Sequence, residues 1–171
     1  MCIRGRHVDQ DLAGPLPIVV AVATRVEETP RTYRDRMRKG DPAPVGEPLL
    51  DGVVRYLPDP TEVENLLRQV LSRDDLDAIL LTGGTGISPR DGTYEVVSCL
   101  LDKQISGFGE IFRFLSYQDI GSSAVMSRAQ AGVAAGKVVI SLPGSRGAVD
   151  LGMRRLVLPE LGHMVSQVHG I

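Results

Sequence analysis

The chain has 171 residues, of which 43% are hydrophobic and 23% charged, the size and balance of one globular domain rather than of a disordered or fibrous protein. Its net charge of −2 excludes a general nucleic-acid binder, which is normally strongly basic. The two cysteines are too few for a disulfide-stapled scaffold, and the apolar run at 18–23 is too short to span a bilayer. We therefore expect a cytoplasmic protein with no nucleic-acid partner and no membrane partner.

The first fifty residues divide into three stretches of different character. Residues 1–16 are polar and are predicted to form an N-terminal extension, followed by a single domain over 17–171. Residues 17–24 are apolar and β-rich without alternation, which is typical of a strand buried on both faces. Residues 25–50 are rich in Arg and Pro and lack apolar periodicity, so we predict a long, atypical loop there.

The rest of the chain alternates between short apolar runs and amphipathic segments. It predicts strands at 53–57, 78–82 and 137–142 and helices at 61–72, 93–101 and 148–168, the last broken at Pro159. Apolar strands that alternate with amphipathic helices indicate βαβ units. The sequence therefore predicts an α/β fold with a mostly parallel sheet.

A glycine-rich loop, Thr82-Gly83-Gly84-Thr85-Gly86, follows the predicted strand at 78–82. Its glycines let the backbone turn sharply, and the exposed N–H groups, next to the N-terminus of a helix, suit a phosphate. The loop is not a dinucleotide fingerprint, because Pro89 stands where the third glycine would be, and no Gly-Lys-Ser/Thr of a P-loop follows. Three glycines, two threonines and the pair Arg90-Asp91 exceed what a ligand-free turn needs, so we predict an anion-binding loop.

Two more polar segments follow predicted strands, namely Pro58-Asp59 and 141–145, which contains Pro143, Gly144 and Ser145. In open α/β sheets, ligands bind beyond the carboxyl ends of the strands. We therefore expect these segments to share one crevice with the glycine-rich loop. A further segment, Ser127-Arg128, carries one cation among small residues and is either a surface feature or part of a site.

Asp59 and Asp91 each follow a strand and precede a helix. Asp59 has the context of an N-cap, because Pro60 follows at the first helical position. Asp91 has a similar context, although Thr93 competes for that place. Two carboxylates beside a phosphate-binding loop could instead hold Mg²⁺, which takes one or two carboxylates plus substrate phosphates. Spacing alone favours capping for both residues, and one carboxylate can do both.

The loop over 81–91 (Leu-Thr-Gly-Gly-Thr-Gly-Ile-Ser-Pro-Arg-Asp) closely resembles the signature loop of the molybdopterin adenylyltransferase family, the MogA/MoaB type of molybdenum cofactor biosynthesis protein. Further matching motifs follow in order at 107–113, 115–117, 120–124, 127–129, 141–145 and 158–163. The resemblance covers about residues 53–165. The stretch over 112–117 and Ile120-Gly121 looks more like the MoaB branch.

The resemblance implies a three-layer α/β/α domain that assembles as a homotrimer or a hexamer. It also implies transfer of AMP from ATP, with Mg²⁺, to the terminal phosphate of molybdopterin, with release of pyrophosphate. A downstream molybdate insertase would then take the product. The residues that the resemblance assigns to catalysis and the metal are Asp59 and Asp91; those assigned to phosphate, pterin and nucleotide binding are Thr82, Gly83, Gly84, Thr85, Gly86, Ser127, Arg128, Pro143, Gly144 and Ser145.

The sequence also departs from the family pattern. Members usually have Ser-Asp after the first strand and then an Asp-x-Ser-Gly segment that opens a helix and forms one wall of the pocket. Neither is present here, where the run over 23–28 leads into the Arg- and Pro-rich stretch. Tyr94 and Arg146 each stand where a proline is common. The alternative is therefore a non-catalytic, molybdopterin-binding or scaffold protein of the MoaB type.

Overall fold

A computed structural model describes residues 18–23, 55–57, 59–89 and 91–170. The predicted extension over 1–16, the predicted loop over 25–50 and Arg90 lie outside these ranges. The elements in chain order are β1 (Ile18–Ala23), β2 (Arg55–Leu57), α1 (Pro60–Leu71), β3 (Ala78–Thr82), α2 (Thr93–Leu100), β4 (Lys103–Gln104), α3 (Ser106–Ile120), a 3₁₀ helix (Gly121–Met126), β5 (Gln130–Ala134), β6 (Lys137–Leu142), α4 (Arg146–Gly152), a π-helical turn (Met153–Val157) and α5 (Leu158–His169).

Most of the predicted elements are confirmed to within two residues. The exception among the predicted helices is the break at Pro159, which is wrong. Helical structure runs without interruption from α4 through the π-helical turn into α5, where Pro159 lies in the first turn. A proline is tolerated at this position because it directly follows the wider π-helical turn. Its missing N–H therefore does not interrupt the hydrogen bonds of a regular α-helix.

The six described strands form one sheet in the order β2-β1-β3-β6-β5-β4. Only β3 and β6 are parallel, and the other four pairs are antiparallel. The predicted mostly parallel sheet is therefore wrong: these strands make a mixed sheet around one parallel pair. For β5 and β6 the reason is local, because the turn Ala135-Gly136 has φ values of +47° and +72° and closes a tight hairpin.

Helices cover both faces of the sheet, so the three-layer α/β/α architecture is confirmed. Side chains alternate between the two faces of a strand. Ile79, Leu81 and Val139 pack with residues of α1 and α2 on one face. Leu80 and Ile140 belong to a second core with residues of α3 and α5 on the other face. None of the helices in the described ranges has the length and hydropathy that crossing a bilayer requires.

Candidate functional site

The carboxyl ends of β3 and β6 meet at one edge of the sheet because the two strands are parallel and Thr82 lies opposite Leu142. The Gly83 N–H donates to the Leu142 carbonyl at 3.0 Å, and the Thr82 hydroxyl donates to the Pro143 carbonyl at 3.1 Å. A Cβ on Gly144 would lie 3.1 Å from the Cα of Gly83. The structure thus brings the glycine-rich loop and the segment over 143–145 into contact, as predicted from the strand ends.

The glycine-rich loop is bound to the N-terminus of α2. Gly83 and Gly84 have φ values of +98° and +62°, a region that side chains other than glycine disfavour. The Thr93 N–H donates to the Gly84 carbonyl at 3.0 Å. Gly92, the N-cap of α2, supplies no side-chain acceptor. Backbone N–H groups at an uncapped helix N-terminus attract an anion, so the loop lies where a phosphate is favoured.

Asp59 is the N-cap of α1, as the sequence predicted. Its Oδ1 atom accepts a hydrogen bond from the Thr61 N–H at 2.6 Å. The side chain is exposed, and its second oxygen takes part in no hydrogen bond with the described residues. Asp59 can therefore cap the helix with one oxygen and offer the other to a cation.

Asp91 lies against the glycine-rich loop and does not cap α2. Its Oδ2 atom accepts from the Ser88 N–H at 3.0 Å, while its own N–H donates to the Ser88 carbonyl at 2.9 Å. A Cβ on Gly86 would be 2.6 Å from that oxygen. The helix begins at Thr93 as predicted, but the prediction that Asp91 or Thr93 caps it is wrong, because the turn through Ser88 holds Asp91 and Gly92 is the N-cap.

The N-termini of α1 and α2 touch where the ring of Pro60 meets Gly92. A Cβ on Gly92 would lie 2.6 Å from the Pro60 Cγ atom, so only a hydrogen fits between them. Asp59 and Asp91 each stand one residue from this contact. Within the described ranges each carboxylate has one oxygen without a hydrogen bond, and such oxygens fit Mg²⁺, which completes its shell with water and substrate phosphate. The described residues hold no group of three or more His, Cys, Asp or Glu that could bind a metal.

Arg128 clamps the glycine-rich loop. Its Nε atom donates to the Thr85 carbonyl at 2.9 Å, and one terminal nitrogen donates to the Gly86 carbonyl. The other forms an ion pair with Glu95 at 2.5 Å, and the guanidinium carbon lies 4.7 Å from the centre of the Tyr94 ring. The interpretation of Arg128 as a surface residue is therefore wrong, and all three nitrogens already have protein partners.

The two serines predicted for the site differ in their surroundings. Ser145 caps α4, since its hydroxyl accepts from the Ala148 N–H at 3.3 Å. Ser127 precedes β5, and its hydroxyl accepts from the Ala129 N–H at 3.4 Å. The structure therefore assigns Ser145 a capping contact and leaves Ser127 at a cleft.

That cleft, of about 240 Å³, lies between α2, α3 and the start of β5. Ser127 and Arg128 line it, whereas Asp59, Asp91 and the loop glycines do not. Two charged residues of its wall, Glu110 and Arg113, were not among the predicted site residues. The family motif over 107–113 contains both and is the sequence signal that could have indicated this wall.

The resolved pKa shifts lie away from this edge of the sheet. Hydrogen bonds from Arg73 hold the pKa of Asp75 below its usual range. Both residues are exposed in the turn between α1 and β3, at the amino end of β3. This ion pair is therefore a surface feature remote from the loop.

A family model described as "Probable molybdopterin binding domain" matches residues 53–163. The chain belongs to this family. The matched range includes every predicted site residue, and it excludes the whole of the Arg- and Pro-rich stretch over 25–50. The resemblance inferred from the glycine-rich loop and the motifs after it is thereby confirmed.

Among sequence relatives of this molybdopterin-binding domain protein, "Molybdenum cofactor biosynthesis protein B" of Halalkalibacterium halodurans is 54% identical over 109 residues, covering 63% of this chain and 64% of the relative. The protein of the same name in Bacillus subtilis is 52% identical over 111 residues, covering 63% and 65%. The chain thus spans slightly less than two thirds of the length of these relatives.

Solved structures of the family share the fold. A crystal structure of a molybdenum cofactor biosynthesis protein B has a TM-score of 0.63 at 51% identity, covering 66% of this chain and 71% of that chain. The "tungsten cofactor synthesizing protein MoaB" of Pyrococcus furiosus has a TM-score of 0.59 at 39% identity, covering 64% and 69%. The "Molybdopterin biosynthesis Mog protein" of Mycobacterium ulcerans has 0.60 at 32%, covering 64% and 70%.

Proposed function

We propose that this protein acts in molybdenum cofactor biosynthesis as a molybdopterin adenylyltransferase. The observation that carries the proposal is the Asp91 carboxylate on the glycine-rich loop, with Asp91 and Asp59 each adjacent in sequence to the Pro60–Gly92 contact. Membership of the molybdopterin-binding family and the names of the relatives support the biosynthetic role. The proposed reaction transfers AMP from ATP to the terminal phosphate of molybdopterin.

In this reaction an oxygen of the molybdopterin phosphate attacks the α-phosphorus of ATP, the bond from that phosphorus to the bridging oxygen breaks, and pyrophosphate leaves. Such transfers depend on alignment and charge neutralisation rather than on covalent help from the protein. The Gly83 N–H already donates to Leu142, so the N–H groups of 84–86 and of the α2 N-terminus would bind phosphate oxygens. Asp59 and Asp91 would hold Mg²⁺, which neutralises phosphate charge when bound. The cleft beside Ser127 would receive the pterin.

The assembly that we propose is a homotrimer or a hexamer built on an apolar stripe of α3. Ile111, Phe114, Tyr117 and Ile120 recur along this helix and are 51–64% exposed. Val125, just beyond the helix, is 80% exposed. Large apolar side chains that cluster on the exposed side of a helix mark a protein interface more often than free surface. Covering this stripe with a second copy removes it from water.

The decisive experiment incubates the purified protein with molybdopterin, ATP and MgCl₂. We expect adenylylated molybdopterin and an equal amount of pyrophosphate, detected by mass spectrometry and an enzyme-coupled assay. Chelation of Mg²⁺ with EDTA should stop the reaction, and added MgCl₂ should restore it. Absence of adenylylated product from protein of confirmed fold would reject the proposal, and a molybdate insertase would then have no product of this protein to accept.

A second candidate function is that of a molybdopterin-binding or scaffold protein without catalysis. The absence of the Asp-x-Ser-Gly segment from the sequence favours it, because the family's pocket has a wall at that place. Titration calorimetry separates the two. Binding of molybdopterin without binding of Mg²⁺–ATP supports the scaffold, whereas binding of both with turnover removes it.

A further inference from the structure

Two arginines reach the cleft, and they differ in how many partners they have. Arg128 uses all three nitrogens on the loop and on Glu95. Arg113, on α3, makes one long hydrogen bond, from a terminal nitrogen to the Ser127 carbonyl at 3.5 Å. Among the described residues no carboxylate lies within ion-pair distance of it. Arg113 is therefore a partly buried cation that the described protein groups leave without a counter-charge.

The Arg113 guanidinium lies over Gly109, where α3 packs on β5. A Cβ on Gly109 would lie 2.6 Å from the Ala129 carbonyl oxygen and 3.0 Å from a terminal nitrogen of Arg113. The hydrogen of Gly109 therefore lets the helix approach the strand, and the guanidinium folds back over that glycine toward the cleft.

Glu110 is a residue with which Arg113 would be expected to form an ion pair. It lies three residues before Arg113 on α3, a spacing at which opposite charges commonly pair. Both residues line the cleft, yet they do not pair. Keeping a guanidinium partly out of water with so few partners costs free energy, which an anionic ligand would recover. The fork of its N–H groups matches the oxygens of a phosphate.

We propose that Arg113 is the anion-binding residue of the cleft and takes a phosphate ester of the ligand, whereas Arg128 is the structural clamp of the glycine-rich loop. The identity of the ligand rests on the proposed function, which offers two phosphate esters, molybdopterin and ATP. The lack of a counter-charge for Arg113 among the described residues does not depend on the proposed function. An experiment can therefore test the role of Arg113 and the proposed function separately.

The test measures dissociation constants for molybdopterin, for Mg²⁺–ATP and for inorganic pyrophosphate by titration calorimetry at low salt. The variants are Arg113→Gln, which keeps length and loses charge, and Arg113→Lys, which keeps charge and loses the fork. Arg154→Gln is the matched control, because Arg154 is exposed on the π-helical turn and paired with Asp150. Circular dichroism checks that each variant folds.

We expect Arg113→Gln to weaken at least one phosphate ligand about tenfold or more, since hydrogen bonds to charged groups are worth that much. Arg113→Lys should recover part of the loss, and Arg154→Gln should bind like the unmodified protein. A loss confined to molybdopterin or to ATP assigns the ester. Unchanged binding of all three probes by folded Arg113→Gln overturns the proposal.

The two proposals fail in different ways. If the unmodified protein adenylylates molybdopterin and Arg113→Gln does so with the same KM values, the function stands and the role of Arg113 is wrong. If the unmodified protein makes no product yet binds pyrophosphate through Arg113, the role stands and the function is wrong. No measurable binding of any probe by the unmodified protein overturns the role of Arg113 as well.

Discussion

Glu95 and Arg128 form an ion pair of 2.5 Å across 33 residues of the chain, and the same guanidinium holds two carbonyls of the glycine-rich loop. The Glu95 side chain is 52% exposed, so the pair itself contributes little to folding. The ion pair instead orients the Arg128 guanidinium so that it can donate to the carbonyls of Thr85 and Gly86. Arg128 thus holds the proposed phosphate-binding loop through two of its backbone carbonyls.

The first prediction concerns this clamp. Glu95→Gln should lower turnover roughly tenfold, because a small displacement of the loop misaligns the ligand. Stability should fall by less than about 1 kcal/mol, as for other exposed pairs. Steady-state kinetics and chemical denaturation measure the two effects. Glu64→Gln, which breaks the exposed pair with Arg68 on α1, is the control and should leave turnover unchanged. Equal turnover in both variants would contradict the role of the clamp.

The second prediction separates capping from catalysis at Asp59. Asparagine caps a helix about as well as aspartate, so Asp59→Asn should keep the stability of α1. The proposed metal ligand is lost, and turnover should fall about 100-fold or more, since a metal contributes several kcal/mol to the transition state. Asp59→Ala should lose turnover and also about 1 kcal/mol of stability. Full activity in Asp59→Asn would show that the residue is a cap alone.

The third prediction concerns Asp91. Asp91→Asn retains an oxygen that can accept from the Ser88 N–H, so the turn should persist and the melting temperature should change little. Turnover should nevertheless drop about 100-fold or more, because the charge that would hold Mg²⁺ is gone. The Mg²⁺ concentration for half-maximal activity should rise with it. A variant that melts like the unmodified protein and works at the normal rate would exclude Asp91 from the chemistry.

The fourth prediction tests the contact between the two helix N-termini. Gly92→Ala places a Cβ 2.6 Å from the Pro60 ring, so we expect a loss of about 1–3 kcal/mol from overpacking, measured by urea unfolding. Gly107→Ala is the matched control, because nothing lies within 4 Å of its added Cβ, and a helical alanine is favourable. Equal stability of the two variants would mean that Pro60 yields and that the contact does not hold α1 against α2.

The fifth prediction concerns assembly. Light scattering should find a trimer or a hexamer at micromolar concentration. Phe114→Glu, which places a charge in the middle of the exposed stripe of α3, should give a monomer of unchanged helical content. Asn65→Glu, on an exposed position of α1, is the control and should leave the assembly intact. A monomer in the unmodified protein would refute the proposed interface.

Local features of the chain were predictable because their causes lie within a few residues. Asp59 caps α1 through an N–H only two residues away, and apolar runs reveal β3 and β6. The helix α3 escaped prediction because its apolar residues are not confined to one face. Phe112 is buried in the core, whereas Phe114 is exposed on the stripe, so no single amphipathic pattern appears.

By itself, then, the sequence determined the glycine-rich loop, its place after a strand and the family, since these depend on residue types at fixed short spacings. Only the tertiary structure decided that the sheet is mixed, because strand direction depends on pairings between distant segments. It also decided that Arg128 clamps the loop while Arg113 has no carboxylate partner in the part of the chain that the structure describes. Which of the two arginines has protein partners depends on how distant segments pack together, and no local sequence pattern encodes that packing.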